Sequence, residues 1–206
     1  MRLPKPEAAF SRRVRFGRYV ARRLRRAKRA ELAAAAREAA LAVKVAGRAW
    51  EDAEEDIQDA LADREGGDDD CDVGAQTIRN ALEGRGLDAL YSEPYILIFD
   101  RPIDYYISAP LAEQVPRYRD LIERCERHLP EGDPLRAQIE VIKTGLADFI
   151  AASEAMAAAE RAFGVAAQNR ARAERDFDRL MDKIYSALRS ELGAKAADKF
   201  FPKARK

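Results

Sequence analysis

Histidine is almost missing from this chain of 206 residues, where His128 stands alone. A ferritin-like di-iron site needs paired Glu-x-x-His motifs, and the residue three before His128 is Cys125, not Glu. A Ser-His-Asp or Cys-His arrangement would also have to use His128. It stands beside Pro130, where a helix is expected to end and its dipole favours a cation. Cysteine is limited to Cys71 and Cys125, which excludes a disulfide framework and fits a reduced, cytoplasmic protein. No run of about 18 apolar residues occurs, so no transmembrane helix is expected. The Arg-rich start is not followed by the apolar stretch of a signal peptide. Neither G-x-x-x-x-G-K nor G-x-G-x-x-G is present. With no chemistry-bearing motif, no catalytic residue, metal, cofactor or small-molecule substrate is expected. Aromatic residues make up only 8% against 35% charged, a surface-to-core ratio typical of long helices.

Proline is also sparse, and its gaps mark those helices. Gly132-Asp133-Pro134 is a helix start, and no further proline follows until Pro202. Between them a heptad seam runs through Leu135, Ile139, Ile142, Leu146, Phe149, Ser153, Met156, Glu160, Phe163, Ala167, Arg170, Glu174, Phe177, Met181, Ile184 and Leu188, which predicts one helix over 134–193. Straight, it spans about 90 Å, so a second long helix or another chain must cover it. The proline-free stretch from Glu7 to Arg64 predicts that partner. Its seam includes Phe10, Val14, Gly17, Ala21, Leu24, Lys28, Leu32, Ala36, Val43, Trp50, Ala53, Ile57 and Ala60, with a stutter at Leu24-Lys28-Leu32. Antiparallel pairing with residue numbers summing to about 200 brings the Ala-rich middles, 30–49 and 147–167, face to face and lets the axes approach closely. The first thirty residues have the composition of a transit peptide, but this match in length argues that 7–30 are folded.

Between the long helices, Glu65 to Asp72 (EGGDDDCD) reads as an acidic loop over 65–73. Short helices are predicted over 74–91, with Ile78, Leu82, Leu87 and Leu90, and over 110–129, with Leu111, Val115, Tyr118, Ile122, Cys125 and Leu129. They are expected to fold back as a hairpin, giving a four-helix section. Tyr91 to Ser108 joins them and holds four of the seven tyrosines. Pro94 and Pro102 exclude a continuous helix there. A small β-hairpin turning at Asp100-Arg101-Pro102 and an irregular extended loop are both compatible with it. Trp50, Tyr91, Tyr95, Phe99, Tyr105 and Tyr106 are expected to form one aromatic cluster. The predicted fold is thus all-α with at most one β-hairpin: a single elongated antiparallel coiled coil thickened at one end.

Charge is the strongest functional signal. Residues 1–30 hold twelve Arg and Lys against Glu7 alone: Arg2, Lys5, Arg12, Arg13, Arg15, Arg18, Arg22, Arg23, Arg25, Arg26, Lys28 and Arg29. Residues 51–72 hold twelve acids against Arg64 alone, among them Glu51, Asp52, Glu54, Glu55, Asp59, Asp68, Asp69 and Asp70. These blocks are expected at opposite ends of one rod, with Lys195, Lys199, Lys203, Arg205 and Lys206 returning to the basic end. Three readings follow for the basic pole. It binds phosphate backbones, in nucleic acid or at an anionic membrane surface. It meets the acidic pole of another copy. Or it is a solvated face partly neutralised by Glu174, Asp176 and Asp178, with Glu174 expected near Arg26 and Lys28. Phe10, Phe16 and Tyr19 either stack on bases or pack on the other helix. The Asp68–Asp72 cluster lacks the Gly and Glu of an EF-hand, holding Val73 and Arg79 at those positions. Phe200 and Phe201 read as a cap near Leu3 or Phe10, or as a docking tail for a partner. The sequence-level expectation is a non-catalytic scaffold or adaptor that self-associates or binds another protein. Nucleic-acid or anionic-surface binding through the Arg-rich helix is the alternative.

Overall fold

A computed structural model describes residues 3–5 and 8–202. Arg2, Glu7, Lys203, Arg205 and Lys206, part of the expected basic segments, lie outside the described residues. The fold is all-α, and no strand occurs among the described residues. Two long helices, α2 (Ala30–Glu83) and α6 (Arg136–Leu192), pack antiparallel. The chain divides into two compact units, residues 1–55 with 159–206, and residues 56–158.

In the first unit the expected continuous helix from Glu7 to Arg64 is broken. α1 (Phe10–Arg26) ends at a turn and α2 begins at Ala30. Lys28 takes φ 60°, and the N–H groups of Arg29 and Lys28 donate to Leu24 O and Arg25 O at 3.1 and 3.0 Å. That pair of bonds is a Schellman motif, whose left-handed position usually carries glycine. A left-handed L-residue costs about 1–2 kcal/mol. Folding α1 back buries Phe16, Val20 and Leu24 in one cluster with Ala33, Ala36, Ala40, Val43, Phe177, Met181, Ile184 and Leu188. Each large side chain so buried contributes about 1.5–3 kcal/mol, so packing overrides the local strain. The stutter at Lys28 is therefore a chain reversal. α1 runs antiparallel to α2, with Gly17 against Ala40 and Gly47 beneath the Phe10 ring. It runs parallel to α6, with Phe16 beside Phe177 and Arg13 beside Asp178. The antiparallel rule predicted for residues 7–30 against the last helix is corrected, and the basic block lies alongside 30–47 rather than at the far end of one rod.

In the second unit α2 continues through the expected acidic loop. Gly67, Cys71, Gly74, Ala75, Ile78 and Leu82 form one buried stripe. A Cβ on Gly67 would lie 2.6 Å from Phe149 N and 2.8 Å from Gly145 O, and one on Gly145 would lie 2.9 Å from Gly67 O. The glycines of EGGDDDCD thus include one that admits the backbone of α6, not a flexible hinge. Of the predicted helix 74–91, residues 74–83 are the end of α2 and 84–91 hold a turn and a short 3-10 turn, Ala89–Tyr91, so no separate fourth helix forms there among the described residues. Leu87 and Leu90 are exposed. The tyrosine-rich linker holds two single helical turns, α3 (Tyr95–Ile98) and α4 (Asp104–Ile107), in place of a β-hairpin or extended loop. Ile98 and Phe99 are adjacent and both buried, whereas a strand would send them to opposite faces. α5 (Leu111–His128) follows, buried through Gln114, Tyr118, Leu121 and Cys125. Leu111, expected on its seam, is exposed. The Arg136 guanidinium donates to Glu126 O and Leu129 O at 2.8 Å and so closes the C-terminus of α5. Asp133 Oδ1 accepts from Leu135 N–H at 3.0 Å, at the expected start of the last helix. α6 ends before Gly193 at φ 79°. A last turn, α7 (Ala194–Ala197), leads to Phe201.

Three substitutions test this packing, all read by urea denaturation. Lys28→Gly is expected to raise stability by about 0.5–1 kcal/mol, because it removes the left-handed penalty at a modest entropic cost. Gly67→Ala is expected to lower stability by about 1–2 kcal/mol through overpacking against backbone. Gly164→Ala, where a Cβ meets nothing within 4 Å, is expected to raise it by about 1 kcal/mol on helix propensity alone. Equal effects at the two glycines would contradict the close approach.

Candidate functional site

The nine arginines of the expected basic pole separate into engaged and unengaged sets. Arg13 is only 2% exposed. Its guanidinium reaches Asp178 at 3.0 Å, Glu174 at 3.4 Å and Ala8 O at 3.4 Å. Glu174 also accepts from Arg170 at 3.2 Å, so its expected pairing with Arg26 and Lys28 is corrected to Arg13 and Arg170. Arg29 holds Glu191 through two bonds of 2.6 Å. Arg23 donates to Lys199 O at 3.1 Å and Arg15 to Ser11 O at 3.4 Å. Arg12, Arg18, Arg22, Arg25 and Arg26 are exposed and have no hydrogen-bond or ion-pair partner among the described residues.

Three of these free arginines share a groove. Arg18, Arg22 and Arg25 recur at steps of four and three on α1, and Arg37 and Lys44 stand opposite on α2. The groove between the two helices has a volume of about 680 Å³. Its apolar lining is Val14, Ala21, Ala30, Ala33, Ala34, Ala40 and Leu41. Five cations and no carboxylate line it. Exposed like charges one helical turn apart repel by less than about 1 kcal/mol, which the fold tolerates. A concave surface lined by one sign of charge focuses its field on an incoming counter-ion. A sequence reading could have found Arg37 and Lys44 only by anticipating the reversal at Lys28. Their one signal is the spacing of seven around Leu41.

The acidic residues lie on α2. Glu51, Glu54, Glu55, Asp59, Asp69 and Asp70 are exposed, and Asp68 is half-buried. Asp68 Oδ1 is buried without a hydrogen-bond partner. Burial first, then the neighbouring Asp72 and Asp69, push the Asp68 carboxyl above its ordinary range. Burial likewise raises Asp72, against the opposing hydrogen bond from the Tyr118 hydroxyl. Burial raises both thiols to about 12, so Cys71 and Cys125 are poor nucleophiles. Among the described residues no group of three or more His, Cys, Asp and Glu is placed to hold a metal ion. Among the described residues no helix is long and apolar enough to cross a membrane.

The expected aromatic cluster is only partly assembled. Tyr95, Phe99, Tyr106 and Tyr105 form a chain of ring contacts with centroids 5.1–6.2 Å apart. Tyr91 is 81% exposed. Trp50 packs instead on Phe163 at 5.7 Å with Arg170 over its ring at 4.4 Å. Phe201 is buried between Phe16 and Tyr185, at 6.1 and 5.5 Å, and Phe200 packs against the same cluster. A free docking tail at Phe201 is therefore replaced by a core residue.

The division of the arginines is testable. Arg13→Ala leaves Asp178 without its cation and Glu174 with Arg170 alone, and is expected to lower stability by about 3 kcal/mol, the low end for a broken buried pair because both acids keep some solvent. Arg22→Ala is expected to stay within about 0.5 kcal/mol of the unsubstituted protein. Comparable losses in thermal melts would contradict the assignment. Comparison with protein-family models, with curated proteins and with solved structures gives no significant match for this chain.

Proposed function

We propose that this protein is a non-catalytic scaffold or adaptor that binds an anionic partner in the groove between α1 and α2. The observation that carries the reading is the groove's lining: Arg18, Arg22, Arg25, Arg37 and Lys44 with no carboxylate among them. Cations held for stability are paired, as Arg13 is with Asp178. The four arginines are exposed and Lys44 is half-buried, none with an ion-pair partner among the described residues, and each can release a counter-ion when an anion arrives. The alanine floor adds apolar contact area and lets an elongated partner lie close to both helices.

A labelled single-stranded oligonucleotide serves as a generic polyanion, with fluorescence anisotropy as the readout. Five engaged cations predict a slope of log K against log salt of about −3.5. The variant Arg18→Glu/Arg22→Glu/Arg25→Glu is expected to lose binding at least tenfold. Arg12→Glu, outside the groove, is expected to change it less than threefold. Equal losses for the two variants, or affinity that ignores salt, would overturn the reading.

A further inference from the structure

We infer that the occupant of the groove is the acidic segment of α2 from a second copy of this chain, with Asp52, Glu55 and Asp59 of one copy set against Arg25, Arg22 and Arg18 of the other. The inference rests on the reading of the groove as an anion-binding surface and names its partner. Three observations on the same molecule lead to it.

The first is charge. Residues 51–72 carry twelve acids against one arginine. Glu51, Asp52, Glu54, Glu55, Asp56, Asp59 and Asp63 are all exposed on α2 and have no hydrogen-bond or ion-pair partner among the described residues. One chain thus presents two unneutralised surfaces of opposite sign. The second is spacing. The segment is regular helix, not loop, so its acids stand at fixed intervals. Asp52, Glu55 and Asp59 recur at steps of three and four, and Arg25, Arg22 and Arg18 recur at the same steps in the reverse direction. Each set spans about 10.5 Å along its helix, so an antiparallel approach brings three opposite charges into register. The third is the groove's surface. Alanines at 21, 30, 33, 34 and 40 line it, and small residues let a third helix approach at the low end of the usual 8–10 Å. The aromatic residues do not favour nucleic acid: Phe16 is buried, Phe10 lies over Gly47, and Tyr19 alone of the three is exposed. Complementary rows of charge fix register and exclude wrong partners. If the two contacts of a pair close on each other the product is a dimer, and otherwise it grows as an open chain.

The test is light scattering behind size exclusion on full-length, nucleic-acid-free protein at about 0.1 M and about 1 M salt, between which the screening length falls from about 10 to about 3 Å. The expected result is at least twice the single-chain mass at low salt, rising with concentration, and return to a single chain at high salt. Asp52→Lys/Glu55→Lys/Asp59→Lys and Arg18→Glu/Arg22→Glu/Arg25→Glu are each expected to stay single alone. Mixed in equal amounts they are expected to associate again, because each then offers what the other lacks. All six positions are exposed, and circular dichroism checks the helix content of each variant. The milder Asp52→Asn/Glu55→Gln/Asp59→Asn carries the test where charge reversal disturbs the fold, and it is expected to weaken association at least tenfold. A wild type that stays single at low salt overturns the inference, as does a mixture that fails to associate. If that single-chain wild type still binds the oligonucleotide through the groove arginines, the anion-binding reading stands and the partner is another polyanion. If it binds neither, both fail.

Discussion

The reversal at Ala27–Arg29 is the constraint on which the candidate site depends. Neither proline nor glycine interrupts the chain there; a Schellman turn at Lys28 does, at a backbone angle that local preference disfavours. The compensation is tertiary. α1 is strongly amphipathic, and its apolar stripe meets both an alanine-rich face of α2 and the large side chains of α6 only when the helix turns back. The same reversal sets Arg18, Arg22 and Arg25, which flank that stripe, beside Arg37 and Lys44 of α2. Packing of the stripe thus creates the charged groove along its edge.

The buried ion pair at Arg13 belongs to this arrangement. A guanidinium withdrawn from water is tolerated when its hydrogen bonds are met and its charge is matched. Arg13 meets two carboxylates of α6 and one carbonyl. It gives the contact between α1 and α6 a register that apolar packing alone specifies loosely. Trp50 under Arg170, with Arg170 also bonded to Glu174, extends this polar framework along the first unit.

Much of the fold was legible in the sequence, and what was missed has identifiable causes. The last helix was readable because its start and stop are local: Asp133 caps, Pro134 opens, and Gly193 supplies a positive φ. The antiparallel pairing of two long helices was legible in their matching texture, but the register was not: the length match was drawn for 7–64, and Trp50 lies on Phe163 and Cys71 on Ile142 rather than at positions summing to about 200. The reversal at Lys28 was not readable, because a stutter and a Schellman turn with a non-glycine residue look alike in sequence. Gly67 was misread for a related reason. A glycine admits either flexibility or close backbone approach, and only the position of Phe149 and Gly145 decides between them. The β-like run at Tyr95–Phe99 had strand-forming residues, but two adjacent buried side chains require a helical turn. Among the arginines, sequence identified the block and not the division. Whether an arginine is paired depends on α6 residues more than 160 positions away.

The central claim is that α1 lies back along α2, since without it there is no groove. The most direct measurement is the distance between labels on exposed positions of the two helices, Arg12→Cys and Val45→Cys, with the buried native cysteines replaced by alanine. Helices packed side by side put the two labels within about 25 Å, allowing for the label arms and an axial separation of about 10 Å. A continuous helix through Lys28 would separate them by about 50 Å. The short distance is the predicted result, and the long one would contradict the account.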